Sequence, residues 1–97
     1  MITHVVTFRW KPGIRTSDVA ALCADLDAFR AEVPAILSYR YGADLQLRDG
    51  NGDFAIIATV ADAEHLAGYL DHPAHHRLIA ERLGAMIETR LAVQFET

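Results

Sequence analysis

The stretch Phe54-Ala55-Ile56-Ile57-Ala58-Thr59-Val60 is apolar at six of its seven positions. A strand packed on one face alone would alternate with polar residues, so an unbroken run predicts a strand covered on both faces. Just before it, Asp49-Gly50-Asn51-Gly52 is a strong turn signal, because Gly and Asn adopt positive φ at little cost. Ahead of that turn, Ile36 to Leu47 reads as another strand, marked by Tyr39 and Tyr41 and bent near Gly42.

Further out, Ile2 to Trp10 alternates, with Ile2, His4, Val6, Phe8 and Trp10 on one face and Thr3, Val5, Thr7 and Arg9 on the other. Lys11-Pro12-Gly13 closes this first strand. A helix is predicted from an N-cap at Ser17 to about Val33, because Val19, Leu22, Cys23, Leu26, Phe29 and Val33 form a stripe that Pro34 ends. After the apolar run, Asp62 can cap a short helix through about Leu70, with Leu66, Tyr69 and Leu70 inward. Pro73, well accepted at a first helical position, opens another helix reaching about Ile87, with His75, Leu78, Ile79, Leu83 and Met86 along one face. Leu91, Val93 and Phe95 alternate in a last strand.

The order is strand, helix, strand, strand, split helix, strand. That order predicts an α+β fold of ferredoxin-like βαββαβ type, with helices on one face of an antiparallel four-stranded sheet. The second face is not polar, since Val5 and one side of the 54–60 strand lie on it. A symmetric partner sheet is the expected cover, which makes the chain a homodimer.

With 97 residues and no linker or repeat, the chain reads as a single domain over 1–97. Its apolar share of 52% exceeds the usual range of about 45–50% for soluble domains, a surplus that a partner surface or a ligand cavity would absorb. A formal charge of −4 without a basic cluster argues against nucleic acid. The single cysteine, Cys23, excludes an internal disulfide framework and reads as a small buried hydrophobe. No apolar run is long enough for a membrane span, and Met1-Ile2-Thr3-His4-Val5 does not read as a signal peptide, so a cytoplasmic location is expected. One lysine against eight arginines fits a GC-rich, bacterial coding bias.

Three polar residues, His4, Tyr69 and His75, sit on apolar faces. Each tip must find a hydrogen bond or water, because an unpaired buried polar group costs about 1–3 kcal/mol. Read singly, each is a satisfied core group; together, between one strand and two helical segments, they fit a pocket floored by Val6, Phe8, Leu26 and Ile79. Histidine exchanges protons near neutrality and a tyrosine hydroxyl can polarise a substrate oxygen. His72 is as well suited to cap its helix as to line the pocket. His76, beside Arg77, and His65, after Glu64, read as solvated surface. His72 and His75 are three apart, yet Pro73 intervenes and no third donor is evident, so neither a metal nor another cofactor is expected. No nucleophile sits in a recognisable elbow, and Gly50-Asn51-Gly52 does not open a helix as a phosphate loop would.

The first strand His4-Val5-Val6-Thr7-Phe8-Arg9-Trp10, Pro34 after the first helix and, above all, Tyr69-x-x-His72-Pro73-x-His75 resemble the stress-responsive A/B barrel (Dabb) domains over nearly the whole chain. The resemblance implies a dimeric α+β barrel, two ferredoxin-like subunits sharing a barrel of sheets with the helices outside. In chemistry the pattern is similar to that of polyketide cyclases of the olivetolic acid cyclase type, which close a linear polyketide by an aldol step within a pocket of each subunit. That similarity implies His75 as the base and Tyr69 as its assistant, both catalytic, with His4 and His72 as further members of the site; Phe8 and Leu26, on the floor of the expected pocket, are the apolar substrate contacts. The expected function is a homodimer with a small apolar pocket per subunit and cofactor-free acid/base chemistry on a carbonyl-bearing, polyketide-like molecule. The alternatives are a non-catalytic stress-associated ligand-binding or structural module, and a monooxygenase or haem-handling relative on the same fold.

Overall fold

In the computed structural model, which describes residues 1–97, the apolar run forms strand β3 (Phe54–Val60), flanked on both sides by antiparallel neighbours. On one side lies β1 (Ile2–Trp10), with Val5 opposite Ile57; on the other lies β2 (Ser38–Ala43), with Arg40 opposite the same Ile57. Strand β4 (Ile87–Glu96) pairs antiparallel with the free edge of β1, giving the order β2-β3-β1-β4. Helix α1 (Thr16–Glu32) joins β1 to β2. Helix α2 (Ala63–Leu70), α3 (Pro73–Leu78), a π-helical turn (Ile79–Leu83) and α4 (Gly84–Met86) join β3 to β4. This is the ferredoxin-like α+β arrangement that the element order predicts. No helix is long and apolar enough to cross a membrane.

The core lies between the helices and one face of the sheet. Val6, Phe8, Ile56 and Ala58 meet Leu22, Leu26 and Phe29 of α1 there, all buried. The other sheet face carries Val5 and Ile57, half-buried, and Leu91, Val93 and Phe95 of β4 at 69%, 56% and 48% exposure. Val93, Val5 and Ile57 stand in one cross-strand row, so this second face is apolar across three strands.

Several local features differ from the sequence reading. Helix α1 begins at Thr16 after an N-cap at Arg15, because Asp18 reaches back to accept the Arg15 N–H at 2.8 Å; Ser17 is inside the helix. Strand β2 ends at Ala43 and does not reach Leu47. The Asp44 carboxylate accepts the Gln46 N–H at 2.8 Å and Gln46 turns into the left-handed region at φ 59°, which takes the chain out of the strand. The last strand is longer than expected, because its edge pairing with β1 runs from Ile87 to Glu96. Cys23 is half-buried, not enclosed.

The expected cavity floor is filled. Phe8 and Leu26 are 3% and 0% exposed within the core, while Ile79 is 40% exposed because the π turn swings it off the inward stripe. Leu26→Ala therefore leaves a void among packed neighbours, and urea unfolding should show a loss of about 2–5 kcal/mol. A loss below about 1 kcal/mol would mean that Leu26 borders open space.

Candidate functional site

Local geometry brings the three polar residues together. The register of β1 sets His4 between Ala58 of β3 and Gln94 of β4, on the helix-facing side of the sheet. Its ring is 1% exposed, and Nδ1 lies 2.8 Å from Gln94 Nε2. Asp62 caps α2 by accepting the His65 N–H at 2.9 Å, which sets the phase that turns Tyr69 inward. Pro73 opens α3 at its first position, and His72 Nδ1 accepts the Ala74 N–H at 3.0 Å. His72 is thus the helix cap, and its Nδ1 lone pair is engaged there.

Tyr69 is the hub. Its ring meets His4 edge-on at 5.7 Å between centroids and meets His75 edge-on at 5.5 Å. Phe29 packs against Tyr69 at 5.9 Å and His75 at 5.8 Å, and Tyr39 stands edge-on to Tyr69 at 6.3 Å. His75 is half-buried, and its Nδ1 is buried without any hydrogen-bond partner. Such an orphan is rare, because a buried polar atom without a partner loses its hydration with no compensation.

Burial controls the protonation states. It lowers the His4 pKa, and the charges of Arg90 and His75 add to the effect. It also lowers the His75 pKa, reinforced by His76 and Arg90 and opposed by the Leu70 carbonyl and Asp71. The Tyr69 hydroxyl is pushed up to about 12 by burial, against the opposing influence of Tyr39 and Arg90. Burial and the adjacent Tyr69 likewise raise Tyr39. At neutral pH the cluster therefore holds uncharged imidazoles and protonated phenols.

Four contributors were not evident from the sequence. Tyr39 lies opposite Ala58 and Gln94 opposite His4, so both gain their place only from strand register. Arg90 pairs with Phe8 on β4, is exposed, makes no ion pair, and adds positive potential at His4, Tyr69 and His75. Phe29 belongs to the helix stripe and also touches His75. The remaining histidines stay outside: His76 is exposed, and exposed His65 bonds Asp62 at 2.6 Å. No three His, Cys, Asp or Glu side chains stand close enough together to hold a metal ion.

His4 and Tyr69 are buried, and only His75 reaches solvent in part. Grooves of about 450, 150, 210 and 270 Å³ open elsewhere, and none of the four is lined by His4, Tyr69 or His75. The 450 Å³ groove runs along the 42–55 segment with Thr7, on the sheet face away from the helices, while the 150 Å³ groove reaches Phe29 and Ala74 from between α1 and α3.

Because the folded values of His4 and His75 lie below the unfolded value of about 6.5, unfolded chain takes up protons first as the pH falls. The stabilisation from the neutral rings is complete above about pH 6.5 and is lost as the pH drops through the folded values. Urea melts at fixed protein concentration should show stability declining from pH 7 to pH 5, with a shallower decline in His4→Gln. Equal slopes would contradict this assignment.

The sequence profile of the stress responsive A/B barrel domain matches residues 2–97. An uncharacterised protein of Streptomyces coelicolor, SCO4036, is 34% identical over 83 residues, which are 82% of this chain and 84% of that protein. A dimeric ferredoxin-like protein of unknown function from Thermobifida fusca is also 34% identical, with a TM-score of 0.91 over 99% of this chain and 90% of that one. A hydroxynitrile lyase from Passiflora edulis shares the fold at 17% identity, with a TM-score of 0.82 over 97% of this chain and 90% of that one. With the profile aligned along almost its full length and a fold shared so closely, the chain belongs to the stress responsive A/B barrel (Dabb) domain family.

Proposed function

We propose that this chain, as one domain over 1–97, forms a homodimer whose His75 and Tyr69 carry cofactor-free acid/base chemistry on a small, apolar, carbonyl-bearing molecule of polyketide-like type. The observation that carries this reading is the His75 Nδ1, buried, unpartnered and on a ring kept neutral, beside a Tyr69 that stays protonated. A general base needs an unoccupied lone pair, and a developing enolate needs a donor. His75 takes the proton α to the carbonyl and Tyr69 hydrogen-bonds the oxyanion. Arg90 favours that anion through its charge, and His4, with Gln94, orients the substrate. His72 supports the site by capping the helix that bears His75. Phe8 and Leu26 lie in the core beneath, so ligand entry requires side chains to move.

Two further observations support this reading. The Thermobifida fusca relative is dimeric, and the row of Val93, Val5 and Ile57 offers an apolar face that a second copy would cover. The Passiflora edulis lyase shows that the fold houses an enzyme, although fold by itself does not choose a reaction. The closed aromatic packing favours a second reading, a non-catalytic module in which the polar tips complete the core.

A thermal-shift screen with β-keto, phenolic and terpenoid compounds, followed by turnover of any stabilising carbonyl compound, separates the two. His75→Ala should reduce turnover by about 10²–10⁴-fold while the dimer stays folded. Unchanged turnover would refute the role of His75, and a lowered melting temperature with no stabilising ligand for the wild type would favour the module.

Dimerisation has its own test. Val93→Asp places a charge on the apolar row, where each covered side chain contributes about 1.5–3 kcal/mol. Sedimentation should show monomer for this variant and dimer for the wild type; an unchanged dimer would place the interface elsewhere.

A further inference from the structure

Between Pro73 and Met86 the chain buries Ala74, Leu78, Leu83 and Met86, at steps of four, five and three residues. A regular α-helix returns to one face every three or four residues, so the five-residue step requires one residue more than an α-helix holds. The π turn over Ile79–Leu83 takes up that residue. Each residue advances a helix by about 100°, and the turn offsets the two helical parts by that amount.

The offset keeps His76 off the buried face. Counted back from Leu83 in an unbroken α-helix, positions 79, 76 and 75 would point at the core: Ile79, His76 and His75. With the π turn, Leu78 and Ala74 occupy that face, Ile79 is 40% exposed and His76 is at the surface. His75 stands at the flank of the buried face, 5.5 Å from the Tyr69 ring and 5.8 Å from Phe29.

The turn in turn depends on Gly84. The Gly84 N–H donates to the Ile79 carbonyl five residues back, closing the π turn. A Cβ on residue 84 would lie 2.8 Å from that carbonyl oxygen, and both groups are fixed in the backbone. In a regular α-helix the same position accepts any side chain. Glycine is otherwise a poor choice within a helix, which makes the close approach the physical reason for it.

We propose that Gly84 is a positioning residue: the π turn it permits sets the rotation of the helix bearing His75, so that Ala74 and Leu78 fill the core, His75 stands at its flank against Tyr69 and Phe29, and His76, which an unbroken helix would turn inward beside it, stays at the surface. The functional meaning rests on His75 as the acting group, but the geometry is read without any turnover, so the two claims fail separately.

The test compares wild type, Gly84→Ala, a deletion of Ala80, and both changes combined, in the full-length protein. Deleting Ala80 converts the five-residue step to four, which restores a regular helix with the same residues inward. Nuclear Overhauser contacts from the His75 and His76 rings to the Phe29 and Tyr69 rings, assigned with His75→Gln and His76→Gln, report the rotation. In the wild type His75 alone should show them; in Gly84→Ala His76 should show them as well; in the deletion and in the combined variant His75 alone should show them again. A His76 ring still without contacts in Gly84→Ala would overturn the role of the glycine, and a combined variant in which His76 keeps them would show that the glycine serves something other than the turn. If Gly84→Ala does not fold, the other two decide: both should fold with His75 alone in contact, and a His75 ring without contacts, or a His76 ring with them, in the Ala80 deletion overturns the proposal.

Discussion

A sheet built around a central strand, β3, that is apolar on both faces must be covered twice, and the other features of this molecule answer to that constraint. One cover is internal: α1 and the segments from Ala63 to Met86 lie over the face formed by Val6, Phe8, Ile56 and Ala58. The other face, with Val5, Ile57, Leu91, Val93 and Phe95, has no cover within the chain. Fully burying an aliphatic or aromatic side chain contributes about 1.5–3 kcal/mol, so a row of them outweighs the ordering cost of a few surface rotamers. Part of the apolar surplus in the composition therefore lies on this uncovered face, where the proposed second copy would pack, with little left for a cavity.

The same constraint shapes the polar cluster. His4 is held on the covered face by its strand, and α2 and α3 bring Tyr69 and His75 down onto it. Because these groups meet where the helices exclude water, desolvation dominates their titration, and it disfavours charge on both imidazoles and on the phenol. Such an environment holds a neutral imidazole and a neutral phenol side by side. The charge of Arg90, entering from the exposed edge strand, adds positive potential there.

What the sequence discloses depends on whether the signal is local. The Phe54–Val60 run, the Asp62 cap and Pro73 at the start of α3 announce themselves through periodicity or backbone chemistry, and these suffice to set the element order. The parity of His4 and the helical phases of Tyr69 and His75 are local too, which is why these three candidates converge in the structure. The exposure of Ile79 is harder. It follows from a π turn whose only sequence trace is Gly84 within an otherwise helical stretch, and an unbroken helix carries Ile79 inward in error. Tyr39, Gln94 and Arg90 enter through cross-strand register, and the end of β2 through a side-chain turn at Asp44. The space expected beside Phe8 and Leu26 is occupied, because close packing of the core depends on shapes that periodicity does not specify.

The central claim is that burial delivers His75 as a neutral ring with its Nδ1 lone pair unoccupied beside Tyr69. The 15N chemical shifts of the His75 imidazole at pH 7, in the full-length protein, measure this directly. The account predicts an uncharged ring with Nδ1 bearing no proton. A charged imidazolium, or a neutral ring protonated at Nδ1, would contradict it.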